Sequence, residues 1–376
     1  NPTYFGSVGP LKEIVEYAHS KGMAVLCDEA HGAHYYFHVP MQPLSAMDAG
    51  ADMSSVSFHK TAGSLTQSSV LLMHTDRFLP EDVQKSLNII NTTSPSSILI
   101  ASVDAARAFM ASPKGKKAME ETYKLSQYAR KQIDKIPGFI DEGKEHFLAH
   151  GSYDYDESKL VIGLDRLDID GFALFRLLKK KYDIQMELAE TYAVLGVLAI
   201  GTKKEHIDHL VTALKEISKE HFKPKTSYPE HRFETSFPFL LVRPRVAFHA
   251  PGKVLPIEEC VGYISKEQVM MYPPGIPLIA PGEVWSKELV DRVLYFQKQE
   301  EKGAKLLCSY PNGFQVIDNA KWKRYSLYEK RLEDYWKSKK TIPALDGYSL
   351  PFEGDKHQAT FILMPFRKDT WREDAI

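Results

Sequence analysis

Residues 11–22, LKEIVEYAHSKG, place apolar side chains at helical spacing and close on glycine, which predicts a helix with a left-handed cap. MAVLCDEA follows at once. This short apolar run ending in acids predicts a buried parallel strand, and open α/β sheets bind ligands at the carboxyl ends of such strands. ADMSSVSFHK repeats the strand-then-polar theme, and SSVLLMHT predicts a third strand. Residues 1–110 therefore read as part of a layered α/β domain. Residues 111–225 alternate a long charged helix, the strand KLVIGL, the amphipathic DGFALFRLLKKKY, the apolar AVLGVLAIG and the helix KEHIDHLVTALKEISKEH, which predicts an α+β domain. KPKTSYPEHRFETSFP reads as a linker. A third domain, 226–318, contains YPPGIPLIAPGEVW, where prolines and glycines predict an irregular loop. The stretch NGFQVIDNAKWKRYSLYEKRLEDYWKSKK, residues 312–340, reads as charged and helical, and residues 319–376 form a linker and tail.

Composition narrows the function classes. The 376 residues hold 48 basic and 49 acidic side chains, so no charge excess draws the chain to nucleic acid or an anionic membrane. No apolar run reaches the length needed to span a bilayer. Cys27, Cys260 and Cys308 are far apart and form no CxxC pair, which argues against a disulfide framework and fits the cytoplasm. Cys27 lies inside an apolar run and reads as a small buried hydrophobe. His31, His34 and His38 have a spacing that suits a metal, but no acidic or cysteine ligand accompanies them, so no metal is expected. His34 and His38 read as packing or surface residues.

The chemistry gathers at two predicted strand ends. Asp28 and Glu29 close one strand, and Lys60 follows the next. Adjacent parallel strands set a carboxylate and an amine on one rim. Pyridoxal 5'-phosphate needs both: an amine to hold its aldehyde as a Schiff base, and a carboxylate to keep its pyridine nitrogen protonated. Ser57 and His59 supply donors suited to phosphate.

NPTYFG, LKEIVEYAHSKGMAVLCDEAHGAHYYF, LSAMDAGADMSSVSFHKTAGSLTQSS, NTTSPSSILIASVDAAR and MYPPGIPLIAPGE together resemble the Orn/Lys/Arg decarboxylase family, of the aspartate-aminotransferase fold type, over residues 1–318. The resemblance implies an α/β fold: a partial fold-type-I transferase large domain, then an α+β small domain and a C-terminal decarboxylase domain. It implies Lys60 as the Schiff-base lysine, Asp28 as partner of the pyridine nitrogen and Ala30 against one ring face. His31 would stand near the cofactor's phenolic oxygen, with Ser57 and His59 on the phosphate. Thr93, Ser94 and Ser96 would reach a neighbouring subunit's site in a homo-oligomer, a dimer or larger. Family members carry a phosphate-binding turn and a ring-stacking residue upstream of NPTY. The chain is thus expected to be amino-terminally truncated and to bind the cofactor poorly by itself.

The implied activity is decarboxylation of a basic amino acid, with Lys60 or His31 returning a proton to the α-carbon. Residues 346–376, DGYSLPFEGDKHQATFILMPFRKDTWREDAI, resemble the start of agmatine deiminase through Phe361, Pro365, Arg367, Asp369, Trp371 and Arg372. Arginine decarboxylase makes agmatine and that enzyme consumes it, so arginine is the favoured substrate, in polyamine synthesis. Lysine and ornithine follow. An aminotransferase of the same fold and an inactive assembly subunit are the alternatives.

Overall fold

The computed structural model describes residues 1–224, 237–272, 275–300, 305–310 and 313–338. They fall into two compact units, one ending near residue 226 and one beginning there. The linker expected at 223–238 and the tail 346–376 lie almost wholly outside the described residues.

The first unit opens with β1 (Ser7–Val8), α1 (Leu11–Ser20), β2 (Leu26–Asp28), a 3-10 turn (Ala33–Phe37), β3 (Met53–Val56), α2 (Phe58–Thr61) and β4 (Val70–Met73). It continues through α3 (Pro80–Ile90), α4 (Ser97–Ala111), α5 (Pro113–Ile133), β5 (Phe139–Asp141), α6 (Lys144–Ala149), β6 (Asp154–Tyr155) and β7 (Lys159–Leu164). The unit ends with α7 (Gly171–Tyr182), β8 (Leu188–Ala189), β9 (Ala193–Val197) and α8 (Lys204–His221). Strand β2 pairs parallel with β3, and β3 pairs antiparallel with β4. Because β2 is at the edge of this three-stranded sheet, the expected buried strand is only half buried. Cys27 points inward with Val15, Ala46 and Ala51, whereas Leu26 is 67% exposed.

The second sheet, ordered β5-β7-β9-β8, is antiparallel throughout. All six residues of β7 are buried, the apolar run Leu160–Leu164 together with Lys159 at its start. Helix α5 begins where Ser112 caps Gly115 N–H and Pro113 takes the first turn, a position at which proline loses no hydrogen bond. Met119, Tyr123, Ser126, Arg130 and Ile133 turn inward at helical spacing. Met119 and Tyr123 join Ala33, Phe37, Val56 and Phe58 in the core beneath the strand ends. Arg130, itself buried, binds the Asp141 carboxylate and the Lys159 carbonyl, tying the helix to β5 and β7.

Glu142, next to β5, is pushed up to about 7 by burial, with the charge of Asp141 adding to the rise and His150 opposing it. A carboxyl raised in the fold binds its proton more tightly folded than unfolded, so stability falls as pH rises from near 4.5 to about 7. Glu142→Gln is expected to flatten this fall by about 1 to 2 kcal/mol. Urea unfolding at pH 5 and pH 8 measures it, and equal losses in both proteins contradict it.

The second unit contains α9 (Pro244–His249), β10 (Gly252–Leu255), β11 (Val269–Tyr272), β12 (Ile276–Ile279), α10 (Lys287–Glu300), β13 (Lys305–Leu307), β14 (Phe314–Ile317) and α11 (Tyr325–Ser338). Here two expectations are corrected. Ile276–Ile279, read as irregular loop, is a strand at the edge of the sheet β12-β11-β13. An edge strand tolerates Pro277, which has no N–H to give to a ladder. The stretch read as wholly helical also begins with a strand: β14 pairs antiparallel with β10, and the helix starts only at Tyr325. Trp285 and Phe314, both buried and 5.6 Å apart between ring centroids, centre this unit's core.

Candidate active site

The parallel register sets Asp28 opposite Ser55, and β3 then runs through Ser57 into the short helix α2 that carries Lys60. The two strand ends therefore share one rim, as the spacing suggested. Lys60 is exposed, and its Nζ lies 3.2 Å from His31 Nε2 and 5.8 Å from the centroid of the Tyr4 ring. The Tyr4 and His31 rings pack at 4.2 Å. Asp28 is exposed, and its Oδ1 accepts the Ala30 N–H at 3.0 Å, which fixes the carboxylate at the strand end and leaves its second oxygen for another donor.

Glu29 turns the opposite way and is fully buried. Its carboxylate accepts Ala46 N–H at 3.0 Å, the Ser54 hydroxyl at 2.9 Å and the Tyr36 hydroxyl. Burial raises its carboxyl above the ordinary range while those three donors oppose the rise. Adjacent strand residues point to opposite faces, so the pair Asp28–Glu29 divides into one site carboxylate and one structural carboxylate.

His31 is buried, and desolvation, followed by the positive charges of Lys159 and Lys60, lowers it to about 3. The imidazole is therefore neutral at physiological pH. Nε2 faces the Lys60 amine, and the buried Nδ1 has no hydrogen-bond partner among the described residues. His59 Nδ1 is 2.8 Å from the Ser68 carbonyl, which orients the ring and leaves Nε2 available. Ser57 is partly exposed at the start of α2. Lys60, Asp28, Ala30, His31, Ser57 and His59 thus sit on two neighbouring segments of one sheet.

Thr93, Ser94 and Ser96 lie apart from this cluster, exposed in the connection between α3 and α4, where Ser96 caps α4 through Leu99 N–H. His38 is exposed and 3.8 Å from Asp48, whereas His34 is fully buried against Asp156. No group of three or more His, Cys, Asp or Glu able to hold a metal occurs among the described residues. Two further residues enter the site unannounced by spacing. Tyr4 packs on His31, and its hydroxyl donates to Glu187, on the segment leading into β8. The only sequence signal for Tyr4 was its place in NPTYFG; Glu187 had none.

The mixed α/β fold, with this lysine and carboxylate at the rim of one sheet, is shared with solved decarboxylase structures. In fold the chain resembles lysine decarboxylase A from Pseudomonas aeruginosa, with a TM-score of 0.70 and 20% identity over 85% of this chain and 56% of that one. Residues 1–156 match the major domain of the Orn/Lys/Arg decarboxylases, and residues 240–316 match their C-terminal domain. The chain belongs to the Orn/Lys/Arg decarboxylase family. It is 40% identical over 294 residues to the arginine decarboxylase of Bacillus subtilis (strain 168), covering 78% of this chain and 60% of that protein. Against the arginine decarboxylase of Halalkalibacterium halodurans it is 42% identical over 285 residues, covering 76% and 58%. The chain thus spans about three fifths of the length of the curated relatives it matches. Among the described residues, no helix is long and apolar enough to cross a membrane.

Proposed function

We propose that these residues belong to a pyridoxal-phosphate-dependent arginine decarboxylase that releases carbon dioxide and forms agmatine. The observation that carries the reading is the Lys60 amine beside a neutral His31, on the same rim as the Asp28 carboxylate. The donor set fits the cofactor. Lys60 would hold its aldehyde, Asp28 its pyridine nitrogen, and Ser57 with His59 its phosphate. Ala30, small and partly exposed beside Asp28, leaves room for a flat ring. When bound, the cofactor supplies an electron sink for the pair left behind as carbon dioxide departs.

The side chains then divide the work. Asp28, held by the Ala30 N–H, would supply negative charge to the ring nitrogen. Lys60 Nζ carries a proton within reach of the rim and can return it to the substrate's α-carbon. His31 Nε2 accepts from Lys60 and orients that amine. Glu187 is exposed and forms no ion pair with a lysine or arginine among the described residues, so it offers negative charge to a cationic side chain. Arginine is preferred over lysine and ornithine because the relatives matched at 40% identity or more are arginine decarboxylases. Carbon dioxide release from carboxyl-labelled arginine, lysine and ornithine by the full-length enzyme tests the choice. Release from lysine or ornithine at a higher kcat/KM than from arginine overturns it.

Three free cysteines suit a reducing cytoplasm, where we place the enzyme. The division of the first unit near residue 110, between α4 and α5, into a cofactor part and an α+β part belongs to the same proposal. So does a homo-oligomer. Ile89, Ile90, Ile98 and Ile100 are exposed on the ends of α3 and α4, flanking the connection with Thr93, Ser94 and Ser96. Large exposed apolar side chains gathered this way suit an interface with a second copy. Ile98→Asp is expected to weaken self-association at least about tenfold, a cost of about 1.4 kcal/mol. Sedimentation velocity across a concentration series reads the change, and an unaltered association curve removes this surface from the interface.

A further inference from the structure

Behind the site lies a sealed group of charges that the proposed chemistry does not use. Lys159, first residue of β7, and Asp156, two residues after β6 begins, are both fully buried. Lys159 Nζ is 2.9 Å from Asp156 Oδ2 and 3.3 Å from Ser158 Oγ. The Asp156 carboxylate also meets His34 Nε2 at 3.3 Å and accepts the Ser158 N–H at 3.0 Å. His34 belongs to the 3-10 turn that follows His31, so the connection between β6 and β7 holds the segment that carries His31.

The grip is built into the backbone. Gly6, in a left-handed conformation with φ 99°, runs so close to the Lys159 stem that a Cβ there would lie 2.9 Å from its Cγ. Tyr155 donates its hydroxyl to the Lys159 carbonyl at 2.9 Å. A buried ion pair of this kind gains little stability over an apolar one, because desolvating two charges offsets their attraction. Its retention beside a catalytic turn calls for another role.

We propose that Asp156 and Lys159 are positioning residues of the site, holding through His34 the segment on which His31 meets Lys60. The assignment rests on the proposed role of His31 beside Lys60. The groups acting on His31 are Lys60 from α2, Lys159 from β7, Asp156 and His34. Tyr35 and Tyr123 also surround Asp156, and burial with its charge keeps both phenols protonated. Lys159 acts on His31 more strongly than Asp156 does, and in the opposite sense. Removing the ammonium must therefore make His31 easier to protonate, and removing the carboxylate as well must partly reverse that gain.

Histidine C2–H exchange into deuterium, read by peptide mass spectrometry across pH, follows His31 in the full-length protein with or without cofactor. Lys159→Met keeps an unbranched stem against Gly6 and is expected to raise the His31 midpoint by about one pH unit or more. The double variant D156N/K159M leaves no unpaired buried charge and is the safer fold. Its midpoint is expected between those of the wild type and K159M. A midpoint in the double variant at or below the wild type overturns the proposal, as does the same midpoint in both variants, since simple loosening would not separate them. In the active enzyme, K159M is expected to move the acid limb of kcat/KM to higher pH than in the wild type. The exchange measurement needs no turnover, so a protein inactive on arginine would refute the proposed function without deciding this one.

Discussion

Replacing Lys60 with alanine is expected to lower kcat for carbon dioxide release from arginine by at least about 10⁴-fold, because one change removes both the covalent tether and a proton carrier. The loss should come without unfolding. Lys60 is exposed, and its described contacts are the His31 nitrogen and the Tyr4 ring, so truncation removes about 1 kcal/mol of cation–π and hydrogen-bond energy at most. Thermal melts of the two proteins should nearly coincide, while the cofactor's imine absorbance disappears. Lys60→Arg should not restore activity, since a guanidinium keeps the charge but cannot be deprotonated to condense with an aldehyde. Retention of more than about one per cent of wild-type kcat by the alanine variant would mean that another amine does the work.

Asp28→Asn is the second large effect. The amide can still accept the Ala30 N–H, so the strand end keeps its shape while the negative charge is lost. The expected drop in kcat is about 10² to 10³-fold, equivalent to roughly 3 to 4 kcal/mol of transition-state stabilisation. KM should change much less, because the charge acts where electrons accumulate during reaction and not on the resting substrate. Asp28→Glu, which restores the charge about one methylene farther out, should recover part of the loss. Equal kcat in wild type and D28N would take Asp28 out of the mechanism and point to a different carboxylate. Glu29, its neighbour, gives the contrasting control. Glu29→Gln disturbs a buried carboxylate with three donors and should lower stability by about 1 to 3 kcal/mol, seen first in the melt and not in kcat.

The contrast between Asp28 and Glu29 marks how far residue order alone carries. Both acids stood at the end of a predicted strand, and alternation along a strand dictates that they face opposite ways. Which one faces the rim depends on what covers each face, and that is supplied by Ala46 and Ser54, from segments 17 and 25 positions away. The helices at 11–20, 171–182 and 204–221 were legible because their apolar spacing and caps are local. The strand at 276–279 was not, since proline and glycine announce a turn unless an edge position spares the missing donor. His34 read as a packing or surface residue, and it is fully buried. Its partner Asp156 is 122 positions away, in the connection between β6 and β7, and no local pattern announces such a pair.

By itself the order of residues determined the layered α/β character, the lysine and carboxylate at two neighbouring strand ends, and the family, because short-range periodicity and motif spacing are properties of contiguous segments. Only the tertiary structure decided the neutral state of His31, the division of labour between two adjacent acids, the contact of Tyr4 with His31 and Glu187, and the burial of Asp156 with Lys159 against His34. Burial and electrostatic fields are sums over groups distant in the chain, and they take their values only once those groups have been brought together.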